Sequence, residues 1–275
     1  MSDFSWVESA GCRIAYKVRG DGPPVIFIQG VGVHGDGWSP QVDTLSSRYR
    51  CLTFDNRGLG QSQSAVGALS IEQMASDALA ILDALEWKTA HVVGHSMGGA
   101  IALQLALAAR ARVRSLSLLC TFANGRDATR LSLGMIWTGL RTRIGTRRMR
   151  RRAFLEIIMP PAALAGVDRD ALAERMVPYF GRDLADQPPI VMKQLGALSR
   201  FDATPRLGEL EGLPTLIVSA AHDRISPPVI GRRFYTAIPG ARFVEMADAA
   251  HGVPIHDADR INALLLDHFQ RADGV

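Results

Sequence analysis

Ala90-His-Val-Val-Gly94-His95-Ser96-Met97-Gly98-Gly99, running on into Ala100-Ile-Ala-Leu-Gln-Leu-Ala-Leu-Ala108, is the stretch on which the fold turns. Its opening is a short apolar run of buried-strand type, and its continuation is a long apolar run of helical type. Ser96 stands at the bend between the two. A serine there must take a strained backbone conformation, tolerable only where the residues two positions to either side lack bulk, and Gly94 and Gly98 meet that need. Such a bend lifts the Ser96 hydroxyl out of the sheet and sets it beside the first amides and the positive dipole end of the helix. A bare Gly-X-Ser-X-Gly is weak; the strand before it and the helix after it give it meaning.

Outward from this point the same alternation repeats. Phe4 to Glu8 and Arg13 to Val18, around the turn-prone Ala10-Gly11, predict a β-hairpin. Continuous apolar runs at Val25–Ile28, Cys51–Phe54, His91–Val93, Val113–Cys120 and Thr215–Val218 suit strands covered on both faces. Ser70 to Trp87 places Ile71, Met74, Ala78, Ile81, Leu82 and Leu85 on one helical face, with Ser70 as N-cap and Gln73 three residues on. A helix from Pro227 to Ile238, a strand at Arg242–Met246 and an amphipathic helix over Asp257–Phe269 close the chain. This order predicts an α/β fold with an open, mostly parallel sheet and helices on both faces. From about Gly125 to Arg206 the alternation stops and the segment turns helical and arginine-rich, broken by Pro160-Pro161 and Pro188-Pro189. The expected organisation is therefore a core of residues 1–124 and 207–275 with a helical cap inserted at 125–206.

A chain of 275 residues with 47% hydrophobic and 21% charged residues can bury a full core. Nothing in Met1 to Glu8 reads as a signal segment, and no run is apolar enough to span a bilayer, so a cytoplasmic protein without membrane insertion is expected. Cys12, Cys51 and Cys120 are odd in number and scattered, and read as reduced core residues. The net charge of +4 is local: residues 128–155 hold eight arginines and no lysine or acid, leaving +4 − 8 = −4 for the remainder. Seven of these lie between Arg141 and Arg152; they read first as a solvated helix face, and second as a field that steers acidic substrates. Without interleaved aromatics they do not indicate nucleic acid.

An unactivated serine is a poor nucleophile and needs a base oriented by a carboxylate. In sheets of this kind reactive groups gather after the carboxyl ends of strands. Asp223 follows the strand ending at Ser219, and His251 follows the strand ending at Met246, giving the chain order Ser96, Asp223, His251. Asp248 is the rival carboxylate, but it shares the histidine's own loop. His34, His91, His95, His222, His256 and His268 read as turn, packing or surface residues. Oxyanion donors are expected from the Met97 N–H and, in the loop Gln29-Gly30-Val31-Gly32, from the Val31 N–H. No clustered Cys/His or His-Glu-X-X-His spacing indicates a metal. Gly30-X-Gly32-X-X-Gly35 with Asp55 imitates a dinucleotide fingerprint, yet Asp36-Gly-Trp-Ser-Pro40 keeps a helix from starting inside the glycine loop.

Taken together, Gly30 and its loop, Asp55-Asn-Arg57-Gly58-Leu-Gly60-Gln-Ser62, Gly94-His-Ser96-Met-Gly98-Gly99, Asp223-Arg-Ile-Ser-Pro-Pro228 and Ala250-His251-Gly252 resemble the α/β-hydrolases of the esterase, enol-lactonase and cofactor-free haloperoxidase type. Gly240 to His251 is similar to the enol-lactonase branch, whereas Gln29-Gly30 stands where that family opens with histidine-glycine. The resemblance implies Ser96 as nucleophile with Asp223 and His251 as partners, Val31 and Met97 as oxyanion donors, no cofactor, and a small ester or lactone as substrate. A carboxylic ester hydrolase is the expectation, with lactone hydrolysis or perhydrolysis as alternatives on the same residues. A ligand-sensing receptor that keeps the triad is the non-enzyme alternative. Oligomeric state, a homodimer included, stays open.

Overall fold

In the computed structural model residues 4–64, 67–129 and 133–274 are described, with side chains left out at 128–129 and 133–136. Among them, eight strands form one sheet in the order β1-β2-β4-β3-β5-β6-β7-β8. They are β1 (Ser5–Ser9), β2 (Cys12–Arg19), β3 (Pro24–Ile28), β4 (Arg50–Phe54), β5 (Ala90–His95), β6 (Val113–Leu119), β7 (Thr215–Ala220) and β8 (Arg242–Met246). The expected hairpin is the antiparallel β1–β2 pair, and β2 runs antiparallel to β4; from β4 to β8 every pairing is parallel.

Strand residues alternate between two cores, as a sheet covered on both faces requires. On one face Ile26, Ile28, Leu52, Val92, Leu116, Leu118 and Ile217 pack under α2 (Ile71–Ala84), α3 (Met97–Ala108) and α10 (Pro228–Ala237). On the other, Val25, Phe27, Val93, Leu216 and Val218 meet α1 (Ser39–Leu45) and α12 (Ala258–Asp273), the latter preceded by the short α11 (Val253–His256). Ser70 caps α2 as expected, accepting from the Gln73 N–H at 3.1 Å, although the Gln73 side chain turns to Asp77 instead of closing a capping box. Asp77 is buried with Arg57 and the Ser9 hydroxyl, so this ion pair ties α2 to the hairpin and to the loop after β4.

Between β6 and β7 the chain leaves the sheet for α4 (Gly125–Thr129), α5 (Leu133–Arg141), α6 (Arg147–Ile158), α7 (Pro161–Leu164), α8 (Arg169–Phe180) and α9 (Ile190–Arg200). Its two ends run side by side, with Ala203 N–H donating to Ala123 O at 2.8 Å and Gly125 N–H to Phe201 O at 2.8 Å. The excursion has a small core of its own, including Leu155, Leu172, Met176, Phe180 and Leu184, against which Val33 and Ile255 of the sheet's loops pack. Arg130 lies outside the described residues. Within the arginine cluster, much of it solvent-exposed, Arg141 pairs with Glu156, Arg147 with Asp183 and Asp186, Arg148 and Arg152 with Asp170, and Arg151 with Asp183 and Glu174. The acids come later in the chain, Glu156 near the end of α6, Asp170 and Glu174 in α8 and Asp183 and Asp186 in the turn after it, which is why the basic run looks unbalanced when read alone. Among the described residues no helix is long and apolar enough to cross a membrane, and Cys12, Cys51 and Cys120 are buried free thiols.

His91 and His268 are buried in the core, His91 against the Ser115 hydroxyl at 2.8 Å and His268 donating to Leu116 O at 3.2 Å. Burial disfavours their charged forms and pulls both down to about 4. The unfolded chain therefore takes up these protons near pH 6.5 while the folded chain resists, so stability is full above that pH and falls as pH drops toward 4. Equilibrium denaturation should show a loss of roughly 4 kcal/mol from the two together between pH 7 and pH 5, and His268→Gln should flatten that slope. A stability unchanged over this range would contradict the assignment of both histidines as buried and neutral.

Candidate active site

β5 ends at His95, and α3 begins at Met97, so Ser96 alone makes the turn, with φ 55° and ψ −123°. A non-glycine residue in this region is strained by about 1–3 kcal/mol, and the surroundings hold it there. Ser96 N–H donates to Leu119 O at 3.0 Å, and its carbonyl accepts from the Thr121 hydroxyl at 2.5 Å. The helix start then passes so close to β3 that a Cβ on Gly98 would overlap the Ile28 carbonyl, and one on Gly94 would overlap the Gly98 carbonyl. These two glycines are required by close backbone approach, as well as by the turn itself.

The structure brings together the three side chains singled out from sequence. His251 Nε2 lies 3.0 Å from Ser96 Oγ, and His251 Nδ1 lies 2.8 Å from Asp223 Oδ2. Asp223 Oδ1 accepts from the Ile225 and Ser226 N–H groups at 2.8 and 2.9 Å. Since an ionised carboxylate can only accept, Nδ1 carries the imidazole proton and Nε2 is free to take one from the serine. Burial opposes ionisation of Asp223, but the charge of His251 and the hydrogen bonds from His251, Ser226 and Ile225 outweigh it and hold the carboxyl below its usual range. Asp248 is exposed and paired with Arg260 at 2.7 Å, away from the imidazole.

Gly30 and Val31 line the same cavity as Ser96, and a Cβ on Gly30 would sit 3.6 Å from Ser96 Oγ. The Gly30 N–H is taken by Gln29 Oε1 at 3.2 Å, whereas among the described residues no partner is found for the N–H of Val31 or Met97. These are the two amides expected to face an oxyanion. The dinucleotide imitation fails for the reason anticipated: a single 3₁₀ turn covers Gly35–Trp38 and α1 starts at Ser39, while Asp55 is consumed by the Gly35 and Gln61 N–H groups at 2.8 and 2.9 Å.

Three contributors went unread in the sequence. His95, taken as a packing residue, donates from Nε2 to the His251 carbonyl at 2.7 Å and so fixes the loop that carries the imidazole. Burial pulls its pKa down to about 3, which keeps it neutral through the working range. Gln194 and Arg182 reach down from the excursion to Gly32, one residue past Val31: Gln194 Oε1 accepts its N–H at 2.8 Å, and Arg182 Nη1 donates to its carbonyl at 2.6 Å. No motif flags these, because they lie about 150 or more residues from Gly32 and act on its backbone.

The cavity above Ser96 has a volume of about 530 Å³. Core residues Gln29, His95, Ser96 and His251 form its polar floor, and Phe122, Phe154, Phe180, Ile157 and Leu198 are among its apolar walls. Among the described residues no group of three or more His, Cys, Asp or Glu side chains is placed to hold a metal ion. Gly98→Ala should cost roughly 3 kcal/mol or more in denaturant unfolding, since backbone and not a yielding side chain meets the new methyl group. A loss below about 0.5 kcal/mol would mean that the turn is looser than described.

Residues 23–258 match the profile of the alpha/beta hydrolase fold family. A protein of Azorhizobium caulinodans named "Putative carbamate hydrolase RutD" is 30% identical, the match covering 95% of this chain and 96% of that protein. Among solved structures, the enol-lactonase of Burkholderia xenovorans LB400 superposes with a TM-score of 0.80 at 26% identity, covering 97% of this chain and all of the other. A hydrolase from Pseudomonas aeruginosa PA01 does so at 0.81 and 25%, covering 98% of each chain. On the strand order, the turn at Ser96 and the match over most of its length, the chain belongs to the alpha/beta hydrolase fold family.

Proposed function

We propose that the chain is a serine hydrolase that cleaves a carboxylic ester through an acyl-enzyme on Ser96. The observation that carries this reading is the unbroken line of hydrogen bonds from Asp223 through His251 to Ser96 on the floor of an apolar cavity. His251 Nε2 takes the hydroxyl proton as Ser96 Oγ attacks the carbonyl carbon, and Asp223 stabilises the imidazolium that results. The negative charge on the former carbonyl oxygen is received by the Val31 and Met97 amides, already fixed before the reaction. His251 then passes its proton to the leaving alcohol, and a water activated in the same way releases the acid and frees Ser96.

The excursion acts as the cap, roofing the cavity and holding the oxyanion loop through Gln194 and Arg182. A lactone is an internal ester and opens by the same attack, a reading favoured by the similarity to the enol-lactonase of B. xenovorans. A panel of p-nitrophenyl butyrate, small lactones and carbamates separates these acyl groups.

Ser96→Ala should lower kcat on p-nitrophenyl butyrate by at least about 10⁴-fold with the fold intact, and retention of a tenth of the rate would contradict the assignment. Gln194→Leu should lower kcat about tenfold with KM changed less than about threefold, because misalignment of an oxyanion donor costs less than its removal and weakens the transition state selectively. A rise in KM alone would place Gln194 in substrate binding instead.

A further inference from the structure

The cap also supplies polar groups to the cavity that the reaction at Ser96 does not use: Thr142 and Arg143, after α5, and Gln187, before α9. Arg143 is exposed at the protein surface, but in a wall otherwise made of aromatic and aliphatic side chains a polar atom that is buried needs a partner. Thr142 has one, its hydroxyl donating to Gly139 O at 2.7 Å. Gln187 does not: its Nε2 is buried and, among the described residues, has no hydrogen-bond partner. Arg143 donates to the thioether of Met192 at 2.9 Å, and a thioether is only a weak acceptor.

The position of Arg143 within the arginine cluster sharpens the point. Arg141, Arg147, Arg148, Arg151 and Arg152 all face carboxylates of the cap. Among the described residues Arg143 and Arg150 have no carboxylate partner, and of these two only Arg143 lines the cavity. Met192 lies in the first turn of α9, just beyond the Pro188-Pro189 break that follows Gln187, and Leu140, Met192 and Leu195, which also line the cavity, are exposed. A cation and an orphan amide donor, both in the cap's share of the lining of an apolar cavity with Ser96 among its core residues, offer a second recognition point to an acceptor that carries negative charge.

We propose that Arg143 and Gln187 bind a carboxylate of the substrate, so that the preferred ester or lactone carries an acid group separated from the scissile carbonyl by an apolar spacer. This rests on the serine hydrolase reading above. Salt bridges within the cap neutralise the other paired arginines, so the preference comes from this contact and not from a general basic field. The bidentate geometry of a guanidinium with a carboxylate suits Arg143 to the task, and Gln187 adds a neutral donor.

The test compares half-acid p-nitrophenyl esters (glutarate, adipate and suberate) with neutral p-nitrophenyl esters of matched chain length. The quantity read is the ratio of kcat/KM for acid over neutral ester at each length. For the wild type at least one length should give a ratio of tenfold or more, and that ratio should fall at least tenfold in Arg143→Gln, through KM, and about threefold in Gln187→Leu. Because a ratio is read on one protein sample, partial unfolding of a variant lowers both terms and does not imitate the effect. Neutral esters turned over with no acid preference at any length, or a ratio unmoved by Arg143→Gln, overturns this inference and leaves the hydrolase reading standing. No turnover of any ester overturns both.

Discussion

The backbone of α3 starts so close to the ends of β3 and β5 that side chains are excluded at positions 94 and 98, and Ser96 is forced to φ 55° between them. Almost everything else about the site follows from this contact. It aims the hydroxyl away from the sheet and, among the described residues, leaves the Met97 amide without a partner at the helix start. It also sets Ser96 against Gly30, beside the loop after β3 that carries the Val31 amide. The strain is held by packing on both faces of the sheet, where β5 is buried from end to end and its neighbours β3 and β6 nearly so.

Onto this fixed point the fold delivers two further side chains by independent routes. Asp223 stands after β7 and His251 after β8, each on its own loop, and each loop is pinned by hydrogen bonds that do not involve the other of these two side chains. Ser226 Oγ donates to Thr121 O at 2.9 Å, and His95 donates to the carbonyl of His251. Neutrality of His95 matters here, because a charged ring tilted against His251, with centroids 4.9 Å apart, would oppose protonation of that imidazole. The helical excursion adds a third support by holding Gly32 at both its N–H and its carbonyl, which links the roof of the cavity to the loop that carries Val31.

Much of this was legible in the sequence, for reasons that differ by element. The strands and the helices over 71–84, 228–237 and 258–273 are announced by periodicity and caps, since their burial is decided locally along the chain. Ser96, Asp223 and His251 were readable because each follows a strand and because the bend at Ser96 admits only glycine as neighbour. What stayed hidden depends on contacts distant in sequence. The arginine run from 141 to 152 could not be understood until Asp170, Asp183 and Asp186 came into view opposite it. Gln194 and Arg182 have no local signature at all, because what they recognise is the peptide backbone of a loop at the other end of the chain. Gln73 shows a smaller departure: a capping-box spacing whose side chain found a better partner in buried Asp77.

One hydroxyl, held at a strained turn, is expected to be made nucleophilic by the imidazole placed against it. Treatment with a fluorophosphonate followed by peptide mass mapping addresses this directly, because such reagents phosphonylate a serine only where a base and oxyanion donors already surround it. The account predicts one adduct per chain, located on Ser96 and lost in His251→Ala. An adduct on any other residue, or labelling of Ser96 that persists at full rate without His251, would contradict it.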